Sequence, residues 1–434
     1  MDLKIGIFVL IVACIFGTFA FVALNPQEKW NWIPVVNEKQ VSKFSSYSEL
    51  VAAFSAAQNS ERYGGIFDTM RKGIAMPMAS SANQEAGGAD FSTTNVQVAG
   101  VDEADIVKSD GKYIYAFSQN RLIITDAYPV EDAKIVAKID LNNISPQEMF
   151  ISGNKLLLFG ASYDSGNAYP AMRQIRAEMP YYGYSNMSVA RLYDISNKES
   201  PVLEKEASFE GSYLTSRLVQ NNAFFVINSY PHYDCLEKDS ENCIIPMMVE
   251  NGVAKKVAEA NEIGYLPPMP AQNFVTLVSL NLDSKEMQKE TIVGNSETIF
   301  ASEKNIYLAA TVWLPSEEIP IVQDIKRIIV GDNESTVINK FSIENGKISF
   351  AAQGSVQGHV LNQFSMDEFE ENFRIATTKG EVWGTGTNQS TSNLYVLDKD
   401  MKTIGKLENL APGEKIYSAR FMGKKAYLVT FKKV

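Results

Sequence analysis

From Asn95 onward, apolar and polar positions alternate with a period of two, the pattern of β-strands that show different faces to core and solvent. An apolar or aromatic strand recurs directly after a turn, as YIYAF behind Lys112, LLLFG behind Lys155, FFVIN from Ala223, IYLAA behind Asn305, VWGTG behind Glu381 and AYLVT behind Lys425. Glycine and asparagine, which tolerate left-handed turn geometry, introduce most of them: Asp110-Gly111, Gly153-Asn154, Asn221-Asn222, Gly380 and Gly423. The strand starts lie 43, 68, 82, 76 and 44 residues apart. A second alternating strand ends near Ala127, Ile195, Asp283 and Asp398, and a third spans 133–141, 202–209 and 402–410. Leading strands at Asp105, Gln147 and Glu414 bring each unit to four antiparallel strands.

The shortest spacings match the ~40–45 residues of a four-stranded propeller blade. The longer ones are the same unit carrying insertions near 161–188, 229–271 and 312–335. The chain therefore reads as all-β: a β-propeller over 95–434 with about five units and the start of a sixth, open or truncated at its end. A strand from the Asn95–Val98 region closing a smaller ring is the alternative. A β-sandwich shares the alternation but does not account for one strand–turn–strand order returning along the chain.

Ahead of the repeat the periodicity differs. Phe44 to Met70 reads as helical, with Ser46 and Glu49 at capping-box spacing and Leu50, Val51, Phe54 and Ala57 at helical intervals. Residues 26–72 are read as a helical spacer and 73–94, small and polar, as a flexible linker. Residues 1–25 are an anchor or signal segment, because Ile5 to Leu24 run without a charge, long enough to cross a bilayer. Lys4 before the run places the body outside the cytoplasm. A cleaved signal peptide, or lipidation at Cys14, leads to the same side of the membrane. The expected location is thus the cell membrane, single-pass, or secretion after cleavage.

Three stretches resemble a known family: NVQVAGVDEADIVKSDGKYIYA ending at Ala116, VLNQFSMDEFEENFRIATT from Val360, and APGEKIYSARFMGKKAYLVTFKK running to Val434. The family comprises prokaryotic secreted or membrane-anchored proteins with a C-terminal β-propeller distantly related to WD repeats. The resemblance covers about 95–434 and implies a propeller on the outer side of the membrane. It brings no catalytic residues with it.

The charge balance narrows the partners. With 40 basic against 51 acidic residues the net charge is −11, which argues against nucleic acid. Cysteines are three, Cys14, Cys235 and Cys243, and histidines two, His232 and His359, too few for a cysteine-rich zinc site. Cys235 and Cys243 flank a short polar loop and suit a disulfide in an oxidising compartment, unpaired loop thiols being the other reading. Asp102, Asp105 and Asp110 offer carboxylates to a calcium ion, although Asp110-Gly111 also makes a good hairpin turn. Ser109/Lys112 and Ser152/Lys155 have Ser-x-x-Lys spacing, but both pairs fall on equivalent turns of successive units and read as repeat punctuation. His232 and His359 are expected as satisfied loop or core histidines. Tyr163, Tyr169, Tyr181, Tyr182 and Tyr184 crowd the first insertion, where they suit stacking on a sugar or peptide or covering a sheet edge. The expected function is a binding or scaffold module for an extracytoplasmic protein, peptide or glycan. The alternative is a hydrolase or lyase with carboxylates at the propeller channel.

Overall fold

The computed structural model describes residues 41–61, 96–164, 185–236, 241–267, 271–313, 334–382 and 389–432. The apolar run 5–24, the linker 73–94, Cys14 and Tyr169, Tyr181, Tyr182 and Tyr184 lie outside them. No helix among the described residues is long and apolar enough to cross a membrane.

Six sheets follow one another along the chain, antiparallel except where Gly264–Tyr265 joins sheet three in parallel, and sheet one is formed by Val107–Ser109, Tyr113–Ser118, Arg121–Asp126 and Lys134–Asp140. Sheet two is built on Ser145–Ser152, Lys155–Asp164, Ser185–Asp194 and Val202–Glu210. Sheet three holds Ser212–Val219, Asn222–Ser229, Asn273–Asn281 and Met287–Gly294, and sheet four Thr298–Ala301, Asn305–Trp313, Glu334–Ser342 and Ser349–Gln357. Sheet five contains His359–Val360, Met366–Phe369, Asn372–Lys379, Thr391–Leu397 and Thr403–Leu410. Sheet six is a bare hairpin, Lys415–Met422 with Lys425–Phe431. The four strands named for each of sheets one to four lie side by side in sequence order, so the four-strand unit read from the sequence is the unit of the fold.

Alternation along a strand shows two faces, and the middle strands bury both. In Asn222–Ser229, Phe225 and Ile227 pack towards sheet two, while Phe224 and Val226 pack towards sheet four. In Lys155–Asp164, Leu156 and Leu158 meet sheet one, while Leu157 and Phe159 meet sheet three. This two-sided burial is why LLLFG and FFVIN are unbroken apolar runs. Aromatic contacts mark the joints: Phe159 to Phe225 at 5.1 Å between sheets two and three, and Tyr307 stacked on Phe373 at 4.3 Å between sheets four and five. Ala376, Ile416 and Ala419 join sheets five and six. Among the described residues no apolar cluster joins sheet six back to sheet one.

The corner between consecutive sheets repeats a device. Gly211 and Gly358 have φ of 121° and 83°, and each carbonyl accepts a hydroxyl from the third strand of the sheet just left, Ser188 at 2.8 Å and Thr336 at 2.6 Å. The carbonyl before each glycine accepts a hydroxyl from the sheet being entered, Ser229 to Glu210 and Thr377 to Gln357, both at 2.6 Å. A Cβ on Gly358 would come within 2.5 Å of the Thr378 carbonyl, so glycine is required there.

Two expectations change. The fifth unit's second strand is Asn372–Lys379, not VWGTG behind Glu381; Phe373 and Ile375 are the residues that reach the core, and Glu381 makes only an isolated bridge to Gln389. Its turn is Glu370-Glu371, both at positive φ, and Asn372, which opens the strand, donates its amide to the Glu370 carbonyl at 3.0 Å. The helix Tyr47–Glu61 is not a free-standing spacer. Leu50, Ala53 and Phe54 are buried in the core of sheets two and three, with Phe54 4.9 Å from Phe274. Ser42–Lys43 adds a strand to Gly264–Tyr265 at the outer edge of sheet three. At the helix start, Ser46 Oγ accepts the Glu49 N–H at 3.3 Å and the Glu49 carboxylate accepts from Ser45 N–H at 2.6 Å, so the reciprocal cap reaches one residue further back than expected.

Candidate functional site

The segment Gln97–Ser109 shows where the first strands converge. Val101–Glu103 pairs with Arg217–Val219 on the inner edge of sheet three. Asp105 exchanges backbone hydrogen bonds with Met149 of sheet two at 2.8 and 3.1 Å. The Gln97 amide donates to the carbonyls of Gln363 and Met366 in sheet five, both at 3.0 Å. Gln97 thus contributes a side-chain link from the entering segment to sheet five.

A polar clasp surrounds this segment. The buried Arg217 guanidinium donates to Gln363 Oε1 at 2.8 Å, to Thr215 Oγ1 at 2.8 Å and to the Ser216 carbonyl, and stands 3.6 Å from Glu103. Gln363 in turn donates to Glu103 at 3.3 Å. Lys108, buried under the Phe150 ring, donates to Asp102 at 2.8 Å and to the Glu103 carbonyl at 2.6 Å. The buried cations Lys108 and Arg217 thus face the partly exposed Asp102 and Glu103, and the neutral Gln363 ties sheet five to both Arg217 and Glu103. Beside them Tyr213 donates its hydroxyl to Glu148 and contacts Ser216 Oγ at 2.7 Å. Burial raises the Glu148 carboxyl above its ordinary range, with Asp105 and Glu103 adding to it and Tyr213 and Arg217 opposing. Burial and Glu148 together push the Tyr213 phenol well up. Nothing in the local sequence marks Arg217, Glu148 or Tyr213; only the convergence of first strands brings them together.

The side of the array is set by strand direction. Second strands end and third strands begin (Asp164 and Ser185, Ser229 and Asn273, Trp313 and Glu334, Lys379 and Thr391) on the side of the sheet-to-sheet corners, the long-connection side, and the tight turns at Gly111, Gly153 and Gly423 occupy the other. Both histidines lie on the long-connection side. His232 Nε2 is 2.9 Å from Glu210, whose other oxygen accepts the Met247 N–H at 2.9 Å. His359 Nδ1 pairs with Glu334, whose other oxygen accepts the Gly380 N–H at 3.0 Å. In each case a buried carboxylate links a half-exposed histidine to a backbone N–H of a connection, that of Met247 within 230–272 and that of Gly380 at the start of 380–390. Cys235 and Cys243 form a disulfide, Cα atoms 5.5 Å apart, and both are buried in the core rather than at a loop surface. Beyond it the hairpin Met247–Glu250 and Val253–Lys256 extends sheet two, and Lys205 and Lys255 hold the Glu250 carboxyl down at about 2.

The acidic run is dispersed. Asp102 pairs with Lys108, Asp105 caps the Ile106 N–H at 2.7 Å, and Asp110 accepts from Tyr113 N–H at 2.8 Å and Tyr115 hydroxyl at 2.7 Å. Burial pushes Asp110 up, but these bonds and Lys198 hold it below the usual range. Among the described residues no three such side chains group as a metal ion would need, so Asp102, Asp105 and Asp110 do not make the calcium cluster considered from the sequence. The Ser-x-x-Lys pairs serve turns: Ser109 Oγ accepts the Gly111 N–H at 3.1 Å, Lys112 stands 3.4 Å from Asp126, and Lys155 binds Asp194 and Glu204 at 3.0 and 2.6 Å. A small cavity of about 210 Å³ lies instead at the outer edge of sheet three, lined by Lys43, Glu262, Lys289, Glu290 and Thr291, remote from the clasp.

With the repeat, its joints and its convergent centre in place, the chain belongs to the family described as beta propeller domain, whose model matches residues 91–434. Within that family it is similar to an uncharacterised protein of Methanocaldococcus jannaschii, 29% identical, with 79% of this chain and 58% of that protein covered. An uncharacterised protein of Archaeoglobus fulgidus is 24% identical over 99% of this chain and 75% of its own length. The chain thus spans less than two thirds of the first relative. Among solved structures, the beta-propeller domain of the Trilobed protease from Pyrococcus furiosus is 11% identical, covering 67% of this chain and 80% of that one, with a TM-score of 0.23. A eukaryotic initiation factor is 9% identical, covering 70% and 65%, with a TM-score of 0.31. Likeness at that level carries no argument about function.

Proposed function

We propose that this chain is a binding or scaffold module, tethered to the membrane by residues 5–24 with its propeller outside the cytoplasm, and that its ligand is an extracytoplasmic protein, peptide or glycan. One observation carries the reading: the described parts of the connections 230–272 and 380–390 stand on one side, held there by the Glu210–His232 and Glu334–His359 pairs and the disulfide, while the first-to-second turns at Gly111, Gly153 and Gly423 stand on the other. Variable loops on a rigid scaffold are where propellers and other repeat folds place recognition. The uncharged run ahead of the propeller and the cystine support the location. The charges of the clasp neutralise one another, which suits a cross-link better than a substrate site.

The test is a glycan and peptide array probed with the ectodomain, followed by replacement of 247–256 with a two-residue turn. Binding that survives this replacement and that of 380–390, but falls when the Gly153 or Gly423 turns are altered, places recognition on the other side and ends the proposal. The enzyme reading rests on Glu148, a carboxyl that burial raises above its ordinary range beside Tyr213. Hydrolysis or elimination on a generic substrate by the wild-type ectodomain, abolished in Glu148→Gln, would establish it in place of the binding module.

A further inference from the structure

The cavity at the outer edge of sheet three arises where strands part. Gly264–Tyr265 runs parallel to Ile292 and Val293, but the chain just before it turns through the 3-10 helix Ala260–Glu262. Among the described residues Lys289, Glu290 and Thr291 therefore have no strand paired along their outer edge. The recess of about 210 Å³ that results is walled by Val257, Ala258 and Thr291 and carries four charged side chains, Lys43, Glu262, Lys289 and Glu290. Successive side chains of a strand point to opposite faces, so Lys289 and Glu290 reach it from the two sides of the strand edge.

These charges are unequally partnered. Lys43 stands 3.6 Å from Glu290, and one oxygen of Glu262 accepts the Glu259 N–H at 2.9 Å, closing the cap of the 3-10 helix. Lys289 is half-buried and has no hydrogen-bond or ion-pair partner among the described residues. Burial lowers its amine below the ordinary lysine range and the Lys255 ammonium adds to this, against Glu250 and Glu262. Burial raises the Glu290 carboxyl, with Lys43 opposing and Glu262 adding. Each pole of the recess is thus short of opposite charge, and a half-buried ion left so gains from a partner of the other sign.

We propose that this recess binds a free α-amino acid, whose carboxylate pairs with Lys289 and whose ammonium pairs with Glu262 and Glu290. The lining disfavours simpler ions. A dianion such as phosphate meets two glutamates as well as the lysines. A metal cation meets Lys43 and Lys289, and among the described residues no three side chains group as a metal ion would need. A zwitterion answers both poles at once with charge-assisted hydrogen bonds. Val257 and Ala258 offer an apolar wall to a small side chain, and the volume is several times the ~30 Å³ share of one water molecule. The inference does not rest on the function proposed above: an array that finds no glycan or peptide leaves it standing.

Isothermal titration calorimetry on the full chain tests it with L-alanine, propionate, alaninamide and inorganic phosphate. L-Alanine is expected to bind saturably and at least about tenfold more tightly than propionate, which lacks the ammonium, or alaninamide, which lacks the carboxylate. Lys289→Gln and Glu290→Gln are each expected to weaken L-alanine about tenfold or more, while Lys112→Gln on sheet one leaves it unchanged. No saturable binding of L-alanine overturns the proposal. Propionate, phosphate or alaninamide binding as tightly as L-alanine overturns it too, since one pole then suffices. So does an affinity for L-alanine that Lys289→Gln does not alter. Where a variant fails to fold, the probe series on the unaltered chain decides.

Discussion

Sheet three and sheet six are made from similar strands and live in different circumstances. In Asn222–Ser229 consecutive apolar residues serve opposite neighbours, and the sheet gains a helix, the Ser42–Lys43 strand and a cystine-bearing connection on top of its two faces. In Lys425–Phe431 the residues alternate between half-buried and exposed, and among the described residues the strand pairs only with Lys415–Met422. A propeller strand therefore derives its stability from the number of neighbours it acquires. Hydrophobicity along the strand sets only the limit of what can be buried.

The sharpest way to break that contrast is at a joint. Phe225→Ala, which empties a site touching Phe159 and Phe209, is expected to cost about 3–5 kcal/mol in urea unfolding. A corner glycine comes next. Gly358→Ala combines positive φ with a Cβ against the Thr378 carbonyl and should cost about 3 kcal/mol, whereas Gly423→Ala, where a Cβ meets nothing within 4 Å, should cost about 1 kcal/mol from φ alone. Removing the disulfide by replacing Cys235 and Cys243 with serine is expected to cost about 2.5 kcal/mol from loop closure, read as a lower urea midpoint. If the loss is the same with and without reductant in the wild-type comparison, the cystine contributes nothing and sheet three owes its stability to packing alone.

Acid separates two carboxylates of the middle sheets. Glu250 has a folded value depressed to about 2, so its contribution is present above the ordinary glutamate range near 4.5 and is lost as pH falls towards 2. Glu148 is raised, so its effect has the opposite sign: relative stability falls as pH climbs from the ordinary range through the raised value. Glu250→Gln should flatten the acid limb of a stability–pH curve and Glu148→Gln the limb above it; the same limb moved by both would show the assignments to be wrong. The smallest effect belongs to the exposed residues of Lys425–Phe431, where Tyr427→Ser is expected to change stability by less than about 0.5 kcal/mol.

Much of the architecture was legible in the chain. Strands behind Lys112, Lys155, Ala223, Asn305 and Lys425 stand where alternation and turn residues put them, and the helix buries Leu50 and Phe54 as its spacing requires. The fifth unit was misread because its turn uses Glu370 and Glu371 in left-handed geometry, while the glycine at Gly380 closes the strand it was expected to open. The site was far less legible. Arg217 and Gln363 are 146 residues apart, and Glu148 and Tyr213 are 65 apart, so their meeting reflects first strands drawn to one centre. The paired histidines were expected to be satisfied, but their carboxylate partners had no local signature.

Local chemistry determined the period, the turns and the four-strand unit, because backbone geometry and side-chain alternation act over a few residues. Only the tertiary structure decided which strands bury two faces and which charges close the clasp around Val101–Glu103. Those outcomes depend on neighbours tens to hundreds of residues away, which no local pattern encodes.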